Sequence, residues 1–273
     1  MALLDLNFYS YILGMDCSAY VLLPGKRMYE LTDRSSETFP VLYLLHGHGD
    51  DETAFIRKSV IEILAREHDL VVVMPNAHRS FYRNESNGFR YEDFFVHELP
   101  LHIKNYFRVS DKREDTFIAG LSMGGYGAFR LAMKYPEKYS AACSMSGAMS
   151  APYGMIKKDP VDDFYYYFNQ NVVRIYGDDT QERELWTLAE SLNKNDSLKP
   201  RLLQTCGTSD VLYESNVEFA EYMEKQIQYS DFTFLESEGA HDWDFWNRSL
   251  RDVLNFLGFK TESKLETKTV QEV

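Results

Sequence analysis

The sequence predicts a doubly wound α/β fold: a mostly parallel sheet with helices on both faces and a cap-like insertion. Two observations carry that class. Short apolar runs alternate with amphipathic stretches along most of the 273 residues, the order expected of strand–helix–strand units. Most of these runs are continuously apolar and closed by Gly, Pro or Asp, as strands covered on both faces are.

The strands are read at 17–23 (CSAYVLL), 40–45, 70–74, 115–119, 140–145, 201–206 and 231–235. The first of them, lying before any clear helix, can pair antiparallel at one edge. Helices are read at 53–67, 91–107, 123–134, 213–229 and 242–257; in the second, Phe94, Phe95, Leu99, Ile103 and Phe107 recur at helical spacing. From 147 to about 185 the pattern shows no clear periodicity. That stretch holds Pro152, Pro160 and an aromatic cluster from Phe164 to Phe168. A connection this long inside a domain is commonly functional, and its aromatic content argues against disorder. The reading is therefore one domain over 1–260 with an insertion at about 147–185, then a polar tail over 261–273.

Composition narrows the function. The net charge of −13 repels a phosphate backbone, so nucleic acid is not an expected partner. No apolar run approaches the roughly 18 residues of a membrane helix, so no membrane partner is expected. The start, MALLDLNFYS, lacks a basic region followed by a long apolar one, and a cytoplasmic protein is expected. The three cysteines, Cys17, Cys143 and Cys206, are far apart and odd in number, which suits a reducing compartment.

The strongest chemical signal is Gly120-Leu121-Ser122-Met123-Gly124. An apolar strand enters this Gly-x-Ser-x-Gly turn and a helix rich in Ala, Phe, Leu and Met leaves it. Such a turn forces the serine into a strained conformation, and only small residues fit beside it. Its hydroxyl is lifted above the sheet at a helix N-terminus, where N–H groups can meet an oxyanion. Ser122 is the candidate nucleophile. A serine needs a base, and His241 is the one histidine that follows Ser122 in the chain. It stands in a Gly-containing loop after the last predicted strand. For the acid, Asp210 follows the 201–206 strand. Asp178, Asp179 and Asp242 are rivals, Asp242 being disfavoured because side chains adjacent in sequence point apart. The oxyanion donors are read as the N–H groups of Met123 and of His48, in His46-Gly47-His48-Gly49 after the 40–45 strand. A metal reading of His46, His48, Asp50 and Asp51 needs further ligands from elsewhere, and no cofactor or metal is expected.

With these residues in view, the sequence resembles the esterase D-type putative esterases, a family of α/β-hydrolases that includes tributyrin, feruloyl and acetylxylan esterases and S-formylglutathione hydrolases. The likeness runs from about Val41 to Leu257. It is carried by VLYLLHGHGD, VVVMPN, ELPLHI, FIAGLSMGGYGAFRLAMKYPEKYSAACSMSG, CGTSDVLYE and GAHDWDFW, and 117–127 is closest to the short-chain, tributyrin-type enzymes. The resemblance implies an α/β-hydrolase fold, the triad Ser122, Asp210 and His241, an oxyanion hole at His48 and Met123, and a serine carboxylesterase acting on short acyl esters, acetyl or feruloyl esters of carbohydrate among them. A small-molecule or carbohydrate ester is then the partner, and a homo-oligomer is compatible with it. The His46-Gly47 spelling of the oxyanion loop departs from what is usual in S-formylglutathione hydrolases and weighs against a thioesterase. Two other readings use the same residues or region: acyl transfer to an alcohol, and a non-catalytic carbohydrate-binding module with Tyr165–Tyr167 as a stacking platform.

Overall fold

The computed structural model describes residues 1–25, 36–86, 88–150, 163–177, 183–194 and 198–260, with side chains of the 163–177 segment described from Tyr166 onward. Eight strands form one sheet: β1 (Ala2–Ser10), β2 (Met15–Leu23), β3 (Val41–Leu45), β4 (Val71–Pro75), β5 (Thr116–Leu121), β6 (Ala141–Met145), β7 (Arg201–Gly207) and β8 (Phe232–Ser237). Their order is β1-β2-β4-β3-β5-β6-β7-β8. The pairs from β4 to β8 are parallel, whereas β2 runs antiparallel to both β1 and β4. The expected antiparallel edge is present, but it contains a strand the sequence reading omitted. In β1, Leu4, Leu6 and Phe8 turn inward while Asp5, Asn7 and Tyr9 face out, the alternation of an edge strand wet on one face.

Helices cover both faces. The segment read as one helix over 53–67 is two short ones, α1 (Ala54–Lys58) and α2 (Ile61–Ala65). The 91–107 helix is α3 (Tyr91–Asp93), a π-helical turn (Phe94–Glu98) and α4 (Leu99–Tyr106). Next come α5 (Met123–Lys134), α6 (Asp163–Tyr176), α7 (Glu184–Lys194), α8 (Tyr213–Glu221) and α9 (Trp243–Leu257). Side chains of β3 alternate between two cores. Val41, Tyr43 and Leu45 pack with α4 to α8, and Leu42 and Leu44 pack with α1, α2 and α9. This two-sided burial produces the continuous apolar runs in the sequence.

The insertion departs from expectation. It is not aperiodic: Phe168, Val172, Ile175 and Tyr176 are buried at helical spacing along α6. The run of five aromatic residues masks that stripe, because the exposed Tyr166 and Tyr167 read as apolar too.

Candidate active site

Ser122 occupies the junction of β5 and α5 with φ 53° and ψ −116°, a conformation a side-chain-bearing residue adopts only when its surroundings enforce it. Those surroundings are visible. The Ser122 N–H donates to the Met145 carbonyl at 2.9 Å, and its own carbonyl accepts from Tyr126 and Ala148. A Cβ on Gly124 would lie 2.1 Å from the Leu45 carbonyl oxygen, and one on Gly47 would lie 2.7 Å from Leu121 Cδ1 and 3.6 Å from Ser122 Cβ. Both glycines are therefore required for the 46–49 loop to press against the serine turn.

The loop before α9 delivers His241. Asp242 caps that helix, its carboxylate accepting from Phe245 N–H at 3.0 Å, and Gly258 ends it in the left-handed conformation. Fixing the helix start fixes the histidine one residue earlier. His241 Nε2 stands 3.0 Å from Ser122 Oγ, and Nδ1 stands 3.0 Å from each Asp210 carboxylate oxygen. Trp246 meets the imidazole edge to face at 5.0 Å.

Asp210 lies in the turn after β7, its carboxylate shut off from solvent. Burial is the largest influence on its pKa and acts upward. The His241 hydrogen bond and charge, the Leu212 N–H and the Ser146 hydroxyl outweigh it, and the net shift is downward. An ionised Asp210 keeps the proton on Nδ1, so Nε2 presents its lone pair to the serine hydroxyl.

The structure thus brings together Ser122, His241 and Asp210 from the ends of separate elements. Met123 opens α5 beside the serine, and His48 sits in the turn after β3. Asp242 is occupied as a helix cap. Asp178 and Asp179 lie outside the described residues. His46 is buried, with Nδ1 donating to the Gly47 carbonyl at 2.8 Å and Nε2 accepting from the Ala77 N–H at 2.9 Å. With both ring nitrogens engaged it holds the loop and has no lone pair left for a metal ion. Among the described residues no group of three or more His, Cys, Asp or Glu side chains is placed to hold a metal.

Several site residues escaped the sequence reading. Phe81 and Tyr82 both have positive φ, 51° and 56°. That backbone turns Phe81 toward the His48 ring, 5.8 Å between centroids, and lets the Tyr82 hydroxyl donate to the His46 carbonyl. Phe168 of the insertion packs against both His48, at 5.3 Å, and Phe81, at 6.1 Å. The His48 imidazole is brought down to about 4, chiefly by burial and then by the Arg79 charge and His46, so it is neutral near pH 7. Ser146, with φ 48°, accepts from Trp246 Nε1 at 3.1 Å and donates to Asp210, so it links the ring packed on His241 to the carboxylate. No local motif announces any of these; the signals were a small residue closing β6 and aromatics in a loop. Tyr166 and Tyr167 are exposed and meet edge to face at 5.3 Å; the side chain of Tyr165 is outside the described set.

The fold and site define a serine hydrolase of the α/β-hydrolase fold. The chain belongs to the putative esterase family, whose model matches residues 10–257. It is 29% identical to an acetyl esterase of Caldicellulosiruptor saccharolyticus over 94% of this chain and 98% of that protein. Among solved structures it is similar to FphF, a fluorophosphonate-binding serine hydrolase of Staphylococcus aureus (TM-score 0.81, 30% identity, 94% of this chain and 98% of that one). It is also similar to the S-formylglutathione hydrolase FrmB of Staphylococcus aureus (TM-score 0.79, 31% identity, 94% and 98%). A ferulic acid esterase gives a TM-score of 0.77 at 25% identity, over 94% and 97%. The protein is an enzyme, a carboxylic ester hydrolase. Among the described residues no helix is long and apolar enough to cross a membrane.

Proposed function

We propose that this enzyme hydrolyses short-chain acyl esters through an acyl-enzyme on Ser122. The single observation that carries the reading is the continuous line from Asp210 through His241 to Ser122, with 3.0 Å at each link. Ser122 Oγ attacks the ester carbonyl as its proton passes to His241 Nε2. The C=O π electrons move onto oxygen, and the oxyanion is held by the N–H groups of His48 and Met123. Collapse breaks the bond to the alcohol, which leaves with the proton from His241. Water then enters by the same route and releases the acid. The chain's own residues supply every step, and no cofactor is part of the reading.

The substrate class rests on the walls. Phe81 and Phe168 pack on each other and on the ring of His48, the residue read as an oxyanion donor, which favours a confined acyl site. Each methylene that fits contributes up to about 0.8 kcal/mol, and the first that does not reverses the trend. Acetyl and feruloyl esters of carbohydrate are the natural candidates by likeness to an acetyl esterase and a ferulic acid esterase. The likeness to FrmB favours one alternative, a formyl thioester. Residence in the cytoplasm is part of the reading, and the free thiols of Cys17, Cys143 and Cys206 support it.

The test is kcat/KM for nitrophenyl esters from acetyl to dodecanoyl, for S-formylglutathione and for acetylated and feruloylated sugars, with product analysis in the presence of acceptor alcohols. Acetyl to butyryl esters should lead, with free acid as product. Preference for dodecanoyl overturns the confined site, a dominant thioester rate selects the alternative, and acyl transfer to the added alcohol as the main outcome replaces hydrolysis.

A further inference from the structure

Gly47 separates His46 from His48, the residue read as an oxyanion donor, and Gly49 follows with φ 85°. A loop with two glycines so close together has many backbone directions open to it. An oxyanion donor, in contrast, must keep one direction to within about 0.5 Å. The turn over 77–82 supplies that constraint at three points. The Ala77 N–H donates to His46 Nε2 at 2.9 Å, the Tyr82 hydroxyl donates to the His46 carbonyl at 2.8 Å, and the Phe81 ring packs on the His48 ring at 5.8 Å. Two of these contacts precede Gly47 and one follows it, so the rotations about Gly47 are held from both sides.

Tyr82 is shaped for this contact. It and Phe81 are successive residues with side chains at φ 56° and 51°, a strain that surroundings must enforce. The Tyr82 ring is fully buried and meets Phe95 edge to face at 4.9 Å. A Cβ on Gly127 would lie 2.4 Å from Tyr82 Cδ2, so α5 admits the ring only because it carries a glycine just beyond the serine turn. Burial holds the phenol well above its usual range, which leaves its hydroxyl a donor. His46 is buried too, and a buried carbonyl that loses its donor is costly to leave in place. Among the described residues the hydrogen bonds of Tyr82 go to Ser80, His46 and Arg130, not to the triad.

We propose that Tyr82 is a positioning residue for the reaction: through the His46 carbonyl, its hydroxyl fixes the direction of the His48 N–H at the oxyanion position. The proposal rests on the acyl-enzyme reading and on His48 as a donor.

Tyr82→Phe tests it, because it removes one oxygen and keeps the ring. Hydrolysis of nitrophenyl acetate is measured per active site, counted by fluorophosphonate titration, so that the folded fraction does not enter. A misdirected donor should lower kcat about tenfold, short of the 10²–10³ lost with a whole donor, while KM stays within about twofold. Phenylboronic acid, which adds to a serine hydroxyl as a tetrahedral anion, should bind more weakly by the same factor as kcat/KM falls. The pH midpoint of kcat/KM, set by His241, should stay in place. A kcat per site within about twofold of wild type overturns the proposal. So does a change carried by KM alone, boronate affinity that holds while kcat falls, or a moved pH midpoint, which assigns the effect to His241. Ser122→Ala in the same assay separates the readings. Activity retained there sinks the acyl-enzyme and this proposal with it, whereas an inactive Ser122→Ala beside an unimpaired Tyr82→Phe sinks this proposal alone.

Discussion

Glu184, the first residue of α7, accepts a hydrogen bond from Arg130 Nε at 2.9 Å, and so ties the insertion to the helix that begins beside Ser122. The same carboxylate pairs with Arg83 at 2.6 Å and accepts from the Tyr126 hydroxyl. Arg130 in turn meets Glu92 at 2.8 Å. All four charges are largely shielded from water, so removing one strands its partners. Glu184→Ala should lower unfolding stability by about 3 kcal/mol, measured by urea denaturation. A change near zero removes the clamp from the account.

Acid should loosen this network in a defined window. Burial, the largest influence on Glu92, raises its pKa, but Arg130, Lys134 and Tyr135 together bring it from 4.5 down to about 2. A carboxylate whose folded value is depressed stabilises the fold fully above its unfolded value. That contribution fades as pH falls from about 4.5 toward 2. It is on the order of 3 kcal/mol for a shift of this size. Stability measured against pH should fall in that window in the wild type and fall less in Glu92→Gln. Parallel curves contradict the assignment.

The two aspartates near His241 should separate cleanly. Asp210→Asn leaves an amide that favours the wrong imidazole tautomer, and kcat should drop by up to ~10⁴. Asp242→Ala removes a helix cap and should cost about 1 kcal/mol of stability with little loss of kcat. Steady-state kinetics together with thermal melts distinguish them. The reverse pattern makes Asp242 the partner of His241.

Phe168 should influence acyl length more than its exposed neighbours do. It is buried against His48 and Phe81, whereas Tyr166 and Tyr167 face solvent. Phe168→Ala should shift the kcat/KM optimum of a nitrophenyl ester series toward longer chains, and Tyr166→Ala and Tyr167→Ala should leave it in place. An unchanged optimum in Phe168→Ala removes that ring from the acyl wall.

Much of this site was legible because its chemistry is local. The serine turn is written into five consecutive residues, and the required order of serine, acid and histidine left one downstream histidine. Asp210 was recognisable from its place after a buried strand. What stayed hidden depends on tertiary contact. Ser146 and Trp246 acquire their roles only when β6 and α9 meet, and the positive φ of Phe81 and Tyr82 has no glycine to announce it. The edge strand β1 was missed because Leu4, Leu6 and Phe8 alternate with polar residues, unlike the solid apolar strands beside it. Helix α6 was missed because adjacent exposed tyrosines blurred its buried stripe.

The most direct test of the account is covalent labelling of the intact enzyme by a fluorophosphonate, followed by peptide mapping. The 3.0 Å contact between His241 Nε2 and Ser122 Oγ should activate that hydroxyl alone. One adduct per chain is expected, on Ser122. Ser122→Ala should take up no label and lose on the order of 10⁴-fold or more in hydrolysis of nitrophenyl acetate. Labelling at another residue, or a Ser122→Ala enzyme that keeps its activity within about tenfold of wild type, contradicts it.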